Sequence, residues 1–468
     1  MKLPGFIDSH MHFLGLGYVN SNIDLTNALS IKEIKKILRR HTDKSVILGR
    51  GWNQSNLLEK RMLEKKDLNA VSKDIPIIMT RVCGHVLTVN DKMLEQAKIT
   101  VDSPQIDGGF FDYNSGIFSE KALDLILDYL PQPTTTDLEN YLIKADKILL
   151  ENGITSVASD DFCIFKTPFE KVIDVINRMY KENRIKVKIT EQVNLSYNKL
   201  KDFINKGYVN KVFGKYKMGP LKILADGSLG GKTAYLRKPY EGEPDNVGIN
   251  TYSDKALFEL IHLANSNNMD VVIHAIGDGA IDQVLRNLIK SIELTKRYKH
   301  NHAIIHAQLA KKSQIKLMKK YNIGAIIQPI FLNSDIQIVE SRIGSRNRES
   351  YLFNTMYNEG LNVGFSTDSP IEPINPFFNI YSAISRKSIK NPELGAFLPS
   401  EAYNISSALK CYTTNNLKYI SQKQLTLGDY VVINRDINAI NVKDILDIEV
   451  LETYIDNELV YKKKSTIL

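Results

Sequence analysis

Cysteine is scarce: this chain of 468 residues has three, Cys83, Cys163 and Cys411, far apart and outside any CxxC spacing. That excludes a disulfide framework and leaves reduced, buried thiols as the expectation. Long hydrophobic runs are lacking too. No stretch approaches 18 apolar residues, and no charged segment followed by an apolar one opens the chain. The reading is a soluble, cytoplasmic protein with no membrane partner. Charge of one sign is nowhere concentrated. The 61 Lys and Arg against 53 Asp and Glu leave +8, yet the lysines are spread along the chain and only Lys462, Lys463 and Lys464 form a run. No basic stripe follows a phosphate backbone, which excludes nucleic acid as a partner and leaves the tail as a solvated end.

What is present is the material of a large core. Hydrophobic residues make up 43% of the chain, ordinary for a folded soluble protein, and the length predicts one large domain with smaller pieces. Short runs rich in Ile and Val alternate with stretches of helical period. The runs Leu3 to Asp8, Gly153 to Ala158, Ile185 to Glu191, Leu221 to Asp226, Asp270 to His274, Ala303 to His306, Ile323 to Gln328 and Val363 to Thr367 read as strands. Between them, segments such as Asp137 to Glu151, Ser253 to Asn268 and Gln314 to Tyr321 are long enough to cross over as helices. This alternation predicts an α/β fold of the (β/α)₈ TIM-barrel class, with its chemistry at the C-terminal strand ends.

Residues 1–12 and 151–420 are assigned to that barrel, leaving 13–150 as a large insertion after strand one. It has its own apolar runs at Ser45 to Gly49, Ile75 to Arg81 and from Val86, and amphipathic segments at Ile31 to Arg40 and Lys121 to Leu130. Loops at the catalytic face of a barrel accept such insertions as lids or substrate walls. Trp52, the single tryptophan, and His85 lie within it. Residues 421–468 read as a small β unit, with strands at Asp429 to Ile433 and Glu449 to Tyr461 and a hairpin turn at Asp456-Asn457.

Six chemically capable residues fall at the predicted strand ends: His10 and His12 in PGFIDSHMH, Lys222 in LKILADG, His274 in VVIHAIGDG, His306 in AIIHAQ and Asp368 in VGFSTDSP. Imidazoles and a carboxylate delivered to one rim are the donors a divalent metal takes. His10 and His12, two apart on a strand, share a face. Each histidine alone reads as well as one satisfied at a strand end; the joint pattern points to a metal site. His41, His262, His300 and His302 read as ordinary. Asp368 fits an N-cap or Asx turn before Pro370, or a carboxylate that touches the metal and takes a proton from its water. Lys222 is open in the same way: it snorkels, or it points into the barrel, where burial disfavours the ammonium and a neutral amine takes up CO₂ as a metal-bridging carbamate.

The strings PGFIDSHMH, KILADGSLGGKTA, HAIGDGA, IIHAQ, QPIFLNSD and GFSTDSPIEPINPF, in that order, resemble the amidohydrolase superfamily, in the branch that includes N-substituted formamide deformylase. The likeness runs from Pro4 to about Asn416. It implies a TIM barrel with one or two divalent ions, usually zinc, held by His10, His12, Lys222 in its often carboxylated form, His274, His306 and Asp368. It also implies that His85, in the pair Gly84-His85, faces substrate and stabilises the developing oxyanion. Two departures stand out: STDSP where the branch commonly has GSDAP, and no N-terminal segment of several dozen residues to complete a β-sandwich with the C-terminal strands. A partial sandwich is therefore expected, with an upstream start or a second subunit, as a homodimer, completing the cover.

The implied reaction is hydrolysis of an amide-type C–N bond of a small molecule by metal-activated water, with Asp368 as proton shuttle and His85 as donor. Trp52, Asp226 and Gln328 are candidate substrate contacts; Asp226 reads equally as a turn aspartate and Gln328 as a buried amide. The same metal core would serve deamination, or opening of a lactone, cyclic amide or hydantoin, and a barrel without catalysis would be a binding protein only if a ligand were missing. The loop DGSLGGKT approaches a P-loop, but Asp226 stands where glycine is needed and would repel phosphate, so an ATPase is rejected.

Overall fold

The computed structural model describes residues 1–82, 86–106, 109–130, 132–420 and 428–464. It separates into two compact units, Met1–Gly17 with Thr135–Leu468, and Tyr18–Thr134. The insertion is thus narrower at both ends than 13–150: helix Thr135–Glu151 buries Leu138, Leu142 and Leu149 in the core of the larger unit.

The larger unit is a (β/α)₈ barrel. Its parallel strands are strand one Phe6–Met11, two Ile154–Ser159, three Lys188–Val193, four Tyr216–Leu224, five Val271–Ala275, six Ala303–His306, seven Gly324–Ile327 and eight Val363–Phe365, neighbours in that order. Strand one is buried at all six positions, the pattern of a strand covered on both faces. The helices Phe169–Lys181, Asp254–Ser266, Asp278–Thr295 and Lys312–Lys320 lay apolar positions at three- and four-residue spacing against the sheet, for example Leu257, Ile261 and Ala264. Strands eight and one close the ring through side chains and strand ends. Ser9 Oγ donates to Phe365 O at 2.9 Å, Asp368 N to His10 O at 3.0 Å and His12 N to Ser369 O at 2.8 Å. Asp8, fully buried, accepts from Thr367 Oγ1 at 2.6 Å, and burial pushes its pKa up to about 7.

Two register shifts set which residues reach the lumen. Between Asp8 and Met11 the pairing of strand one with strand two slips, so Ile7, which packs in the lumen on Ala158 and Ile420, and His10, three residues on, face the same way. Bulges re-aim side chains in this manner. Strand four begins at Tyr216, earlier than the expected Leu221, because it runs through Gly219-Pro220 with a shift against strand three. Glycine is required there: a Cβ on Gly219 would stand 2.5 Å from Thr190 Cγ2 and 2.6 Å from Glu191 O.

The expected strand Leu3 to Asp8 divides. Lys2–Pro4 leaves the barrel and pairs antiparallel with Tyr430–Ile433 in a four-stranded sheet completed by Val450–Ile455 and Glu458–Lys462. Asp456 and Asn457 turn its hairpin with φ of 53° and 66°, the left-handed pair of a type I′ turn. The insertion unit carries a six-stranded mixed sheet ordered Ile23–Asp24, Ile47–Trp52, Ile77–Arg81, Val86–Val89, Ile117–Glu120, Gly109–Asp112. The expected helix Lys121 to Leu130 shortens to a turn at Lys121–Leu123 and one helical turn, Asp124–Leu127.

Candidate metal centre

Alternation carries part of the site. On strand eight Val363 and Phe365 face the helices, which leaves Gly364, Ser366 and Asp368 for the lumen. On strand five Val272 lies in the lumen cluster and His274, two residues on, shares its side. Strand six breaks the rule. Its lumen positions are Ala303 and Ile305, so alternation alone would send His306 outward. His306 and Ala307 instead take left-handed φ of 72° and 49°, and the imidazole comes to 6.0 Å from the His10 ring and 4.4 Å from the His274 ring, centroid to centroid. Asp368 is left-handed too, at 57°. Such backbone in non-glycine residues persists only where surroundings over-determine it.

The donors converge on Asp368. Its Oδ1 lies 3.2 Å from His10 Nε2 and 3.3 Å from His12 Nε2. Among the described residues, His10, His306 and Asp368 form a set whose ligand atoms all lie within 4.8 Å of one another. Two atoms bound tetrahedrally to one zinc ion stand about 3.3 Å apart, so the spacing suits a cation. The far ring nitrogens are already engaged: His10 Nδ1 donates to Gln192 Oε1 at 2.6 Å, His12 Nδ1 to Asp160 O at 2.9 Å and His306 Nδ1 to Gln328 Oε1 at 2.7 Å. In the neutral rings of His10 and His306, Nε2 therefore presents a lone pair inward, the arrangement that metal-binding histidines use.

Electrostatics keep two of the rings ready as donors. Burial pushes His10 and His306 below the usual imidazole range, helped by Lys222 near His10 and by His274 near His306, so both stay neutral. Burial also opposes a charge on His12, but the Asp368 carboxylate outweighs it and raises its pKa to about 9. Burial would raise Asp368 in turn, yet its contacts with His10 and His12 prevail and hold the carboxyl well below the carboxylate range.

The remaining expected residues divide. Lys222 is buried in the lumen with Nζ 3.9 Å from Asp160 Oδ2. His274 stands beside His306, but its Nε2 meets Gly227 O at 3.0 Å and Asp226 Oδ1 at 3.4 Å. Asp226 accepts from the backbone N–H of Ile276, Gly277 and Tyr235 at 2.8–3.0 Å, which makes it a loop-fixing carboxylate. Gln328 holds His306 and donates to Ser366 Oγ at 2.6 Å. Trp52 is fully buried in the insertion's own core, its Nε1 donating to Met79 O at 3.3 Å; its indole is committed to packing there. His85 lies outside the described residues. Sequence reasoning misses Gln192 and Asp160. The signal for Gln192 is the row Thr190, Gln192, Asn194, two alternating polar side chains on a buried strand and a third just past its end. A cavity of ≈ 520 Å³ bordered by Tyr180, Lys181, Ile185, Phe213 and Lys215 lies at the opposite, N-terminal ends of strands three and four and includes none of these donors.

Residues 1–461 match the amidohydrolase family. The chain belongs to that family. It is 31% identical to the putative amidohydrolase YtcJ of Bacillus subtilis strain 168, over 99% of this chain and 89% of that one. It is 21% identical to N-substituted formamide deformylase of Arthrobacter pascens, over 98% and 88%. Its fold is similar to that of an uncharacterized metal-dependent hydrolase from Pyrococcus horikoshii OT3, with a TM-score of 0.78 and 29% identity, covering 94% of this chain and 87% of that one. Family and donor set together make this amidohydrolase a metal-dependent hydrolase.

Proposed function

We propose that the enzyme hydrolyses a non-peptide, amide-type C–N bond of a small molecule, with Asp368 as proton carrier. The observation that carries this reading is one ionised carboxylate held between two imidazoles at the lumen mouth, at 3.2 and 3.3 Å. His10, His12, His306 and Asp368 would hold the ion, taken to be zinc, with His274 beside them. When bound, the ion supplies Lewis acidity: it makes water acidic enough to attack near pH 7 and draws charge from the substrate carbonyl.

The chain's own groups do the rest. Water and amide become carboxylic acid and amine, a C–O bond forming as the C–N bond breaks. Asp368, ionised, accepts the proton from the attacking water and returns it to the leaving nitrogen. Gln192 and Gln328 keep the imidazoles oriented throughout. His85 is the proposed donor to the oxygen that gains charge. Lys222, desolvated in the lumen, is the proposed carbamate former, its nitrogen taking CO₂ and releasing a proton; a carbon-13 carbamate signal in the native protein that survives in Lys222→Ala would remove it from that role.

Zinc-loaded protein assayed on a broad panel of amides and cyclic amides is expected to turn over, and Asp368→Asn to lower kcat by about 10³-fold, the usual scale for a lost general acid–base. Full zinc content without turnover of any amide would overturn this function.

A further inference from the structure

The two halves of the barrel rim differ in their apolar content. Strands eight, one, two and three bring polar groups to it: Asp368, His10 and His12, Asp160, and Gln192, with Asn194 Nδ2 donating to Asp160 Oδ2 at 3.0 Å. The other half carries Lys222, His274, His306 and Gln328, and strands four and seven add apolar groups beside them. Leu224 ends strand four, lies in register with His274 and, two residues beyond Lys222, faces the lumen. It is nevertheless 41% exposed. A solitary exposed leucine on an outer surface needs no explanation; one on the inner side of a barrel mouth, beside a histidine of the metal centre, is available to substrate. Across the pair His274 and His306, the half-buried Phe331 ring stacks on His306 at 5.6 Å and 25°. The loops after strands four and seven meet, with Arg342 Nη2 donating to Gly230 O at 3.3 Å and Ile338 beside Gly230, so this side has a wall.

Resting on the proposed function, the direction of the substrate follows. The leaving nitrogen must take its proton from Asp368, on strand eight, which puts the amine over the half that holds Asp368. At a planar carbonyl the other substituent points away from that nitrogen, across the lumen toward Leu224 and Phe331. We propose that strands four to seven form an acyl subsite, and that the preferred substrate is the amide of an apolar carboxylic acid with a small or polar amine.

The test uses the zinc-loaded full chain and two series. In the first, acetyl, butyryl and hexanoyl groups are joined to one common amine; in the second, one acetyl group is joined to methyl-, butyl- and hexylamine. Binding of acetate and hexanoate, followed by calorimetry, reads the acyl subsite without turnover. Each methylene moved out of water is worth about fourfold, so hexanoyl over acetyl is expected to raise kcat/KM at least about tenfold, and hexanoate to bind at least about tenfold more tightly than acetate. Leu224→Ser should shrink both ratios to about threefold or less. Cleavage that follows amine length and ignores acyl length, or equal binding of hexanoate and acetate to the native protein, overturns the subsite and leaves amide hydrolysis standing. No cleavage in either series overturns the hydrolytic reading and the subsite with it.

Discussion

A histidine serves a cation through one nitrogen only when the other is held, and two buried glutamines do that holding here. Gln192 is tied in turn through its Nε2 to Ser9 O at 3.0 Å, and Gln328 to Ser366 Oγ, so neither amide is free to turn away. Replacing Gln192 or Gln328 by Leu leaves the ligands in place and removes the acceptor that fixes each ring. The expected result is a 10- to 100-fold loss of zinc affinity, measured by competition with a chromogenic chelator, with a melting temperature within a few degrees of native. Native affinity in both variants would show that the rings are fixed by packing alone. His274 and His306 are legible in the chain because each closes a β-branched run, and His10 and His12 because they stand two apart. Their supports are less so: Gln328 reads equally as a pocket residue, and nothing about Gln192 sets it apart beyond the polar row on its strand. A glutamine that orients a ring and one that faces solvent have the same local sequence signature.

At the level of elements, strand existence is read well and strand ends are not. The runs at Ala303 to His306 and Val363 to Thr367 announce themselves by composition, but the left-handed turn that swings His306 inward, and the slip of register that lets Ile7 and His10 share the lumen, depend on neighbouring strands. The split at Gly5 is similar: a Cβ there would run into Thr155, and only the fold reveals that neighbour. Helix Thr135–Glu151 joins the barrel through Asp146 as well as through its apolar face. One oxygen, Asp146 Oδ1, accepts from Lys186 N at 2.8 Å and Val187 N at 2.9 Å, just before strand three. Burial raises this carboxyl from 3.8 to about 6. The folded protein therefore keeps a proton that the unfolded chain has lost between about pH 4 and 6. Stability falls as pH rises through that window, by on the order of 2–3 kcal/mol for two pKa units. Asp146→Asn keeps an acceptor at the same place and cannot ionise. It should be more stable than native at pH 8 by a comparable amount, with the difference closing as pH drops toward 4; urea titrations at both pH values measure this, and a pH-independent gap would show that the carboxyl stays ionised in the fold.

For the molecule as a whole, the site sits where the first and last strands of the barrel meet. The bond from Ser9 to Phe365 closes the ring across 356 positions of sequence, and the proposed metal donors straddle that same seam, His10 and His12 on one side and Asp368 on the other. A cation held there is a clasp between strands one and eight as well as a catalyst. Ligand that binds only the folded state stabilises it by about 4 kcal/mol at a thousand times its dissociation constant, and most of that should be felt at the seam. Chelation is accordingly expected to speed amide exchange at His12, Thr367 and Asp368, whose N–H groups bond across it, by at least about tenfold. The insertion has its own sheet and two apolar cores of its own, one around Trp52 and Ile47, the other around Phe111 and Phe118. Its central amides, such as Gly49 and Met79, should exchange at the same rate with and without metal. Hydrogen exchange followed by mass spectrometry distinguishes the outcomes: faster exchange confined to peptides from strands one and eight is the signature of a clasp, whereas uniform loss of protection across both units would mean that the ion supports the entire fold and that the seam has no special share in it.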